Sequence, residues 1–251
     1  MNSPDELDFE SKKYYKQFLE QIFPALEQAF NSTLEDPRTN LIEQGYCKAT
    51  SFSSWRQILL IDNGANCHEI YNEIQSDLSA SISSAITGNY RLALMSIRSF
   101  IELSNLFAYY YHHPVEYDWW LEDNHVIKFS ELNEKYFKRY KQLEEYKINT
   151  NIYREWKKVS KYVHAEYKSY MQSSDTLPFL PQYQKEKLGQ WITHFKAANL
   201  WINKLFYIIF QKLYFEAYKK IELQDLCQII KGNLNDINLF SSVQKEWSNQ
   251  S

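Results

Sequence analysis

The chain has 251 residues, a formal net charge of −3 and a sequence pI near 6.1, with 24% charged and 17% aromatic residues. A chain of this length can bury a large core in one domain, and its charge excludes a generally basic nucleic-acid binder, so contact with a polyanion must rest on a local patch. Five Gly, six Pro and three scattered cysteines (Cys47, Cys67, Cys227) exclude a turn-rich β fold, a disulfide framework and a zinc site, and suit a reducing compartment.

The elements follow in chain order. The start is acidic without an apolar core segment, so no signal peptide is expected. A first helix is predicted over 7–30, with Asp8 and Glu10 near its positive end and Pro24 kinking or breaking it. A polar connection covers 31–40, and the segment to 61 is ambiguous. Asp62-Asn63-Gly64 marks a stop, after which a helix runs to Ile86. Thr87-Gly88-Asn89 is a second break, and Tyr90 to Tyr111 is the strongest helix of the sequence, ended by Pro114. Residues 115–127 read as a loop or short turns. Helices follow over about 128–146 and 150–172, the latter opened by Asn149-Thr150-Asn151 as an N-cap. A proline-bounded connector covers 176–181.

A long amphipathic helix is predicted over 182–221, followed by a last helix over about 223–232 and a loosely held tail from 233. The most apolar run, Leu200 to Phe215, is broken by Asn203, Lys204, Gln211 and Lys212, which argues for a core helix and against a membrane span. The fold class expected is all-α: a single-domain helical bundle of about seven to eight helices spanning 1–251, located in the cytoplasm.

Two polar rows stand out. On the helix from Tyr90, Arg91, Arg98, Glu102, Asn105 and Tyr109 fall at spacings of seven, four, three and four, one stripe on an otherwise apolar helix. Buried charges need partners, so Arg98 and Glu102 are either an internal i,i+4 ion pair or the wall of a wet cleft in which Arg98 forks an anion. On the helix after Asn151, Ile152, Trp156, Val159 and Val163 face the core. His164 sits at the edge of that stripe with Tyr153 and Ser160, and Lys157, Lys161 and Lys168 continue its side outward. Such a histidine is available as a neutral base near pH 7, or it is a boundary residue beside a solvated lysine face. No Gly-rich phosphate loop, nucleophile elbow or His-Glu zinc motif is present, so no metal or cofactor is expected.

The segment LALMSIRSFIELSNLFAYYYHHP and the later YREWKKVSKYVHAEYKSY together resemble HEPN-like helical domains of bacterial defence and toxin systems. The likeness rests on Arg98 and Glu102 in Arg-x-x-x-Glu and on Ser160 and His164 in Ser-x-x-Val-His, and it implies a HEPN-like core over about 66–215, flanked by the helix at 7–30 and a C-terminal part at 222–251. Active members of that family are metal-independent ribonucleases with Arg, four to six residues, then His, at a site shared by two protomers. Here Lys157 or Lys158 takes the arginine position and Arg154 lies too far away, so the bidentate fork is lost. The resemblance implies His164 as general base, Arg98, Glu102 and Lys158 beside it in catalysis, and Lys157, Ser160, Lys161, Asn105 and Tyr109 in substrate binding. The partners it implies are RNA, a second copy of the chain and a protein of the same system, with no membrane. The alternatives are a non-catalytic module that binds a partner protein and a helical domain that senses a nucleotide.

Overall fold

The computed structural model describes residues 4–59, 67–123, 127–163, 180–234 and 236–250; these are all-α, with no strand among them. In order they form α1 (Pro4–Glu35), α2 (Thr39–Ala49), α3 (Ser51–Leu59), α4 (His68–Ile86), α5 (Tyr90–Tyr110), α6 (Pro114–Leu121), α7 (Phe129–Glu131), α8 (Lys141–Glu145), α9 (Ile148–Val163), α10 (Lys185–Ile209), α11 (Gln211–Tyr218), α12 (Gln224–Leu234) and α13 (Ile237–Gln250). This exceeds the expected seven to eight, because stretches read as connections coil into short helices of their own. No helix among the described residues is long and apolar enough to cross a membrane.

Several expected boundaries move. Pro24 does not break α1: it forfeits only the bond to the Glu20 carbonyl, on a solvent-exposed stretch where an unpaired carbonyl costs little. The helix expected over 128–146 divides into α7, a π-helical turn at Leu132–Tyr136, a 3₁₀ turn at Phe137–Arg139 and α8. The 182–221 helix bends at Phe210 (φ −105°, ψ 23°) into α10 and α11. Asn149-Thr150-Asn151 is not a cap but lies inside α9, which opens after Lys147 at φ 53°. The tail from 233 is helix α13, not a loose end, because Leu239 and Val243 are fully buried and Asp236 accepts the Leu239 N–H at 3.0 Å. Asp236 is itself held by Lys204 on α10 at 2.7 Å.

The centre is a hairpin of α4 and α5 packed against α9 and α10. Gly88 makes the hairpin turn possible: its φ of +81° suits glycine, and a Cβ there would meet the Gln182 backbone at 2.6 Å. Phe206 on α10 packs its ring among Phe52, Trp55, Phe107 and Phe210 at centroid distances of 5.4–6.0 Å. Polar bonds set the register. Trp191 Nε1 donates to Ser81 Oγ (2.9 Å), whose hydroxyl donates to the Ala93 carbonyl (2.9 Å), tying α10 to α4 and α5. Trp55 Nε1 donates to Asn203 Oδ1 at 3.1 Å. α5 is central but not buried all round, since Leu92 and Met95 are 52% and 41% exposed at its outer edge.

A different surface lies on α1, where Tyr15, Leu19, Phe23, Phe30 and Leu34 are all exposed. At about 100° per residue they share one stripe.

Candidate nucleic-acid interface

Only part of the polar row on α5 faces solvent. Arg91 is exposed, Arg98 and Glu102 are half-buried, and Asn105 is fully buried with Nδ2 donating to the Ile101 carbonyl at 2.7 Å. Tyr109 stacks flat on His113 at 4.1 Å and edge-on to Tyr136, inside an aromatic cluster.

Arg98 Nε donates to Glu102 Oε1 at 3.0 Å, and the same oxygen accepts Trp156 Nε1 from α9 at 2.6 Å. The Arg98 guanidinium lies 5.6 Å from the centre of the Trp156 ring, whose stack with Phe129 has a centroid distance of 4.8 Å. The side chains of Arg98 and Glu102 stay 24% and 32% exposed. The i,i+4 ion pair exists, then, but as a wet rivet between α5 and α9. Arg98→Ala leaves Glu102 its indole partner and access to water, so the expected loss is about 1 kcal/mol in denaturant unfolding, well short of the 3–5 kcal/mol of a buried pair. A loss near 4 kcal/mol would contradict this description.

The surroundings of Arg98 do not favour a phosphate. Asp77 on α4 sits opposite Ser99 with Glu73 and Glu102 nearby, and burial pushes its carboxyl above the ordinary value with those acids adding to the effect.

The basic residues of α9 separate by side. Lys157 is exposed, its Nζ 5.1 Å from the centre of the Tyr153 ring, which stacks near Trp156; it borders the Arg98 rivet. Lys158 and Lys161 lie about 140–160° around the helix from Trp156. Lys158 pairs at 3.5 Å with Glu155, a buried carboxylate that also holds His194 Nδ1 on α10. Ser160 is buried, and its Oγ has no hydrogen-bond partner among the described residues. His164 lies outside the described residues, as does Lys168. The structure thus joins Arg98 and Glu102 to α9 through Trp156, brings Lys157 near that joint, and turns Lys158 and Lys161 away.

Charge is concentrated nearby. Residues 127–163 carry ten Lys and Arg against five Glu, in a chain whose total is −3. On α9, Arg154, Lys157, Lys158 and Lys161 fall within about 100° of arc. Comparison with known proteins gives no match: no family model, no curated protein and no solved structure matches the chain.

Two features escaped the sequence reading. The Glu155–His194 contact joins residues 39 positions apart, and neither carries a local signal of its partner. The Asp36–Arg38–Tyr183 cluster was equally hidden: Asp36 accepts from the Arg38 backbone N–H (2.7 Å), Nε (2.9 Å) and Nη2 (2.7 Å), and from the Tyr183 hydroxyl. The indole of Trp156 was more legible, because a tryptophan N–H in a core seeks an acceptor and Glu102 was already singled out. Among the described residues no cluster of His, Cys, Asp and Glu is arranged to hold a metal ion.

Proposed function

We propose that the protein binds single-stranded RNA along the basic surface of residues 127–163, as a HEPN-like RNA-binding domain with metal-independent endoribonuclease activity. The observation that carries this reading is the excess of five positive charges in that one segment, with four cations within about 100° of arc on α9, of which Lys157 lies against the ring of Tyr153. Cations at this density release counterions from a polyanion, and flanking aromatic rings suit splayed bases.

In this reading Arg154, Lys157, Lys158 and Lys161 contact phosphates. Arg98 and Glu102 position α9, since their charges already satisfy each other. The resemblance to HEPN domains supplies His164 as the base that takes the proton of a 2′-hydroxyl as that oxygen attacks its neighbouring phosphate, with a lysine stabilising the charge on the phosphoryl oxygens. It also supplies a two-fold homodimer as the working form and a protein of the same system as a further partner. The exposed stripe of α1 suits the homodimer: with Leu26 included, its spacings of four, four, three, four and four read the same from either end, so antiparallel copies match residue for residue.

The test is the affinity of the full chain for a labelled single-stranded RNA, by fluorescence anisotropy. Lys157→Glu with Lys161→Glu is expected to weaken binding about tenfold or more at low salt, while Lys245→Glu, outside the segment, has little effect. Equal losses from both changes would leave only a diffuse electrostatic contact. The reading as a protein-binding module would then take its place.

A further inference from the structure

α9 and α10 meet along a seam on the side of α9 turned away from Trp156. Two contacts fix its antiparallel register. Glu155 meets His194, and seven residues on, Tyr162 meets Lys187, whose Nζ lies 6.0 Å from the centre of the Tyr162 ring. On α9, Glu155, Lys158 and Tyr162 fall within about 60° of arc, so the seam borders the basic face and Lys158 belongs to both. The side chains of Glu155 and His194 are only 6% and 11% exposed, and the Tyr162 ring stands edge-on to the imidazole at 5.6 Å. Lys158, 51% exposed, brings its Nζ to 3.5 Å from Glu155 Oε2.

A carboxylate only accepts, so the His194 nitrogen that Glu155 holds, Nδ1, carries a proton, and Nε2 is left to exchange one. Nε2 takes no hydrogen bond among the described residues, and it is not one of the unpartnered atoms that burial seals from water. A carboxylate that orients an imidazole whose second nitrogen stays unbonded is an arrangement for moving protons.

The cleavage proposed above needs two proton movements, one away from the 2′-hydroxyl and one onto the departing 5′-oxygen. Lysines, with an ordinary pKa of about 10.4, neutralise phosphate charge but give up protons reluctantly near neutrality, whereas imidazole does so readily. A phosphodiester held by Lys158 lies beside the dyad, because the amine that binds it already reaches Glu155. We infer that His194 is the catalytic acid of this reaction and that Glu155 is the residue that positions it. The 2′-oxygen bonds to phosphorus as its proton passes to the base; the bond from phosphorus to the 5′-oxygen breaks, and that oxygen takes the proton from Nε2. A 2′,3′-cyclic phosphate and a 5′-hydroxyl result, and His194 regains its proton from water. This inference rests on the ribonuclease reading of the same surface.

The experiment follows the full chain, under chelation, on two substrates: an RNA oligomer and uridine 3′-(4-nitrophenyl phosphate), whose nitrophenolate departs without a proton. His194→Ala is expected to lower kcat on RNA about a hundredfold and on the nitrophenyl ester less than about threefold. Glu155→Gln, which keeps an acceptor for Nδ1, is expected to lose about tenfold on RNA alone. Circular dichroism identifies an unfolded His194→Ala, in which case Glu155→Gln decides. Equal losses on the two substrates, or none on RNA, overturn the assignment and leave the ribonuclease reading standing. A wild-type protein that cuts only the nitrophenyl ester has no working acid and also overturns it. Cleavage of neither substrate overturns both.

Discussion

His164→Ala is expected to lower RNA cleavage in the presence of a chelator by about a hundredfold or more, the usual range for removing a general base. The same variant is expected to fold normally. In sequence the residue follows directly on Val163, the last residue of α9, the helix that carries the basic face. In the proposed reading the chemistry needs no metal, because the 2′-hydroxyl is an internal nucleophile that requires a base and charge neutralisation at the phosphate. In the proposed HEPN-like reading, lysine at the position where those domains carry arginine keeps the charge and gives up the bidentate geometry, so a slow enzyme is expected. The assay is incubation of purified protein with mixed cellular RNA. Cleavage unchanged by the substitution would remove His164 from the mechanism. A wild-type protein that binds RNA without cutting it would leave a non-catalytic RNA-binding module.

The largest effect on stability is expected from Asp36→Ala, about 3 kcal/mol, or about 6–12 °C in Tm for a chain of this size. The Asp36 side chain is wholly buried and accepts from the Arg38 backbone and guanidinium and from Tyr183, while Arg38 continues to the Lys185 carbonyl at 2.6 Å. Removing the carboxylate strands a cation that is only 27% exposed and loosens the joint between the end of α1, α2 and the start of α10. The Arg38 hydrogen bonds hold the Asp36 carboxyl well below the usual carboxylate range, against the opposing effect of burial. A depressed value means that the cluster stabilises fully above the unfolded pKa of about 3.9 and that this contribution fades as pH falls below it. Urea unfolding from pH 7 to pH 3 should therefore show a wild-type loss of stability that Asp36→Ala lacks. Parallel pH profiles would contradict the assignment.

How much of this was legible depends on the range of the signal. The Thr87-Gly88-Asn89 break and the helix from Tyr90 were plain, because turn residues and apolar periodicity are local. The i,i+4 pairing of Arg98 with Glu102 was open to the same reading, and the structure contains it. Its exposure was not legible, since that depends on how α9 lies across α5. Phe210 bends α10 into α11 without glycine or proline, so periodicity ran straight through the bend. The tail from 233 was expected to be loosely held, yet Leu239 and Val243 find a core, and Lys204 on α10 fixes Asp236 ahead of α13. The π-helical turn at Leu132–Tyr136 and the positive φ of Lys147 were not legible either, since composition announces neither.

The most direct measurement is the dependence of RNA affinity on salt. If α9 meets the strand through Arg154, Lys157, Lys158 and Lys161, log K against log salt for a single-stranded oligomer should fall with a slope of about −2 to −3. Lys157→Glu with Lys161→Glu should flatten that slope by at least one. A wild-type slope near zero, or a slope that the double reversal leaves unchanged, would mean that the basic face of α9 is not where a polyanion binds.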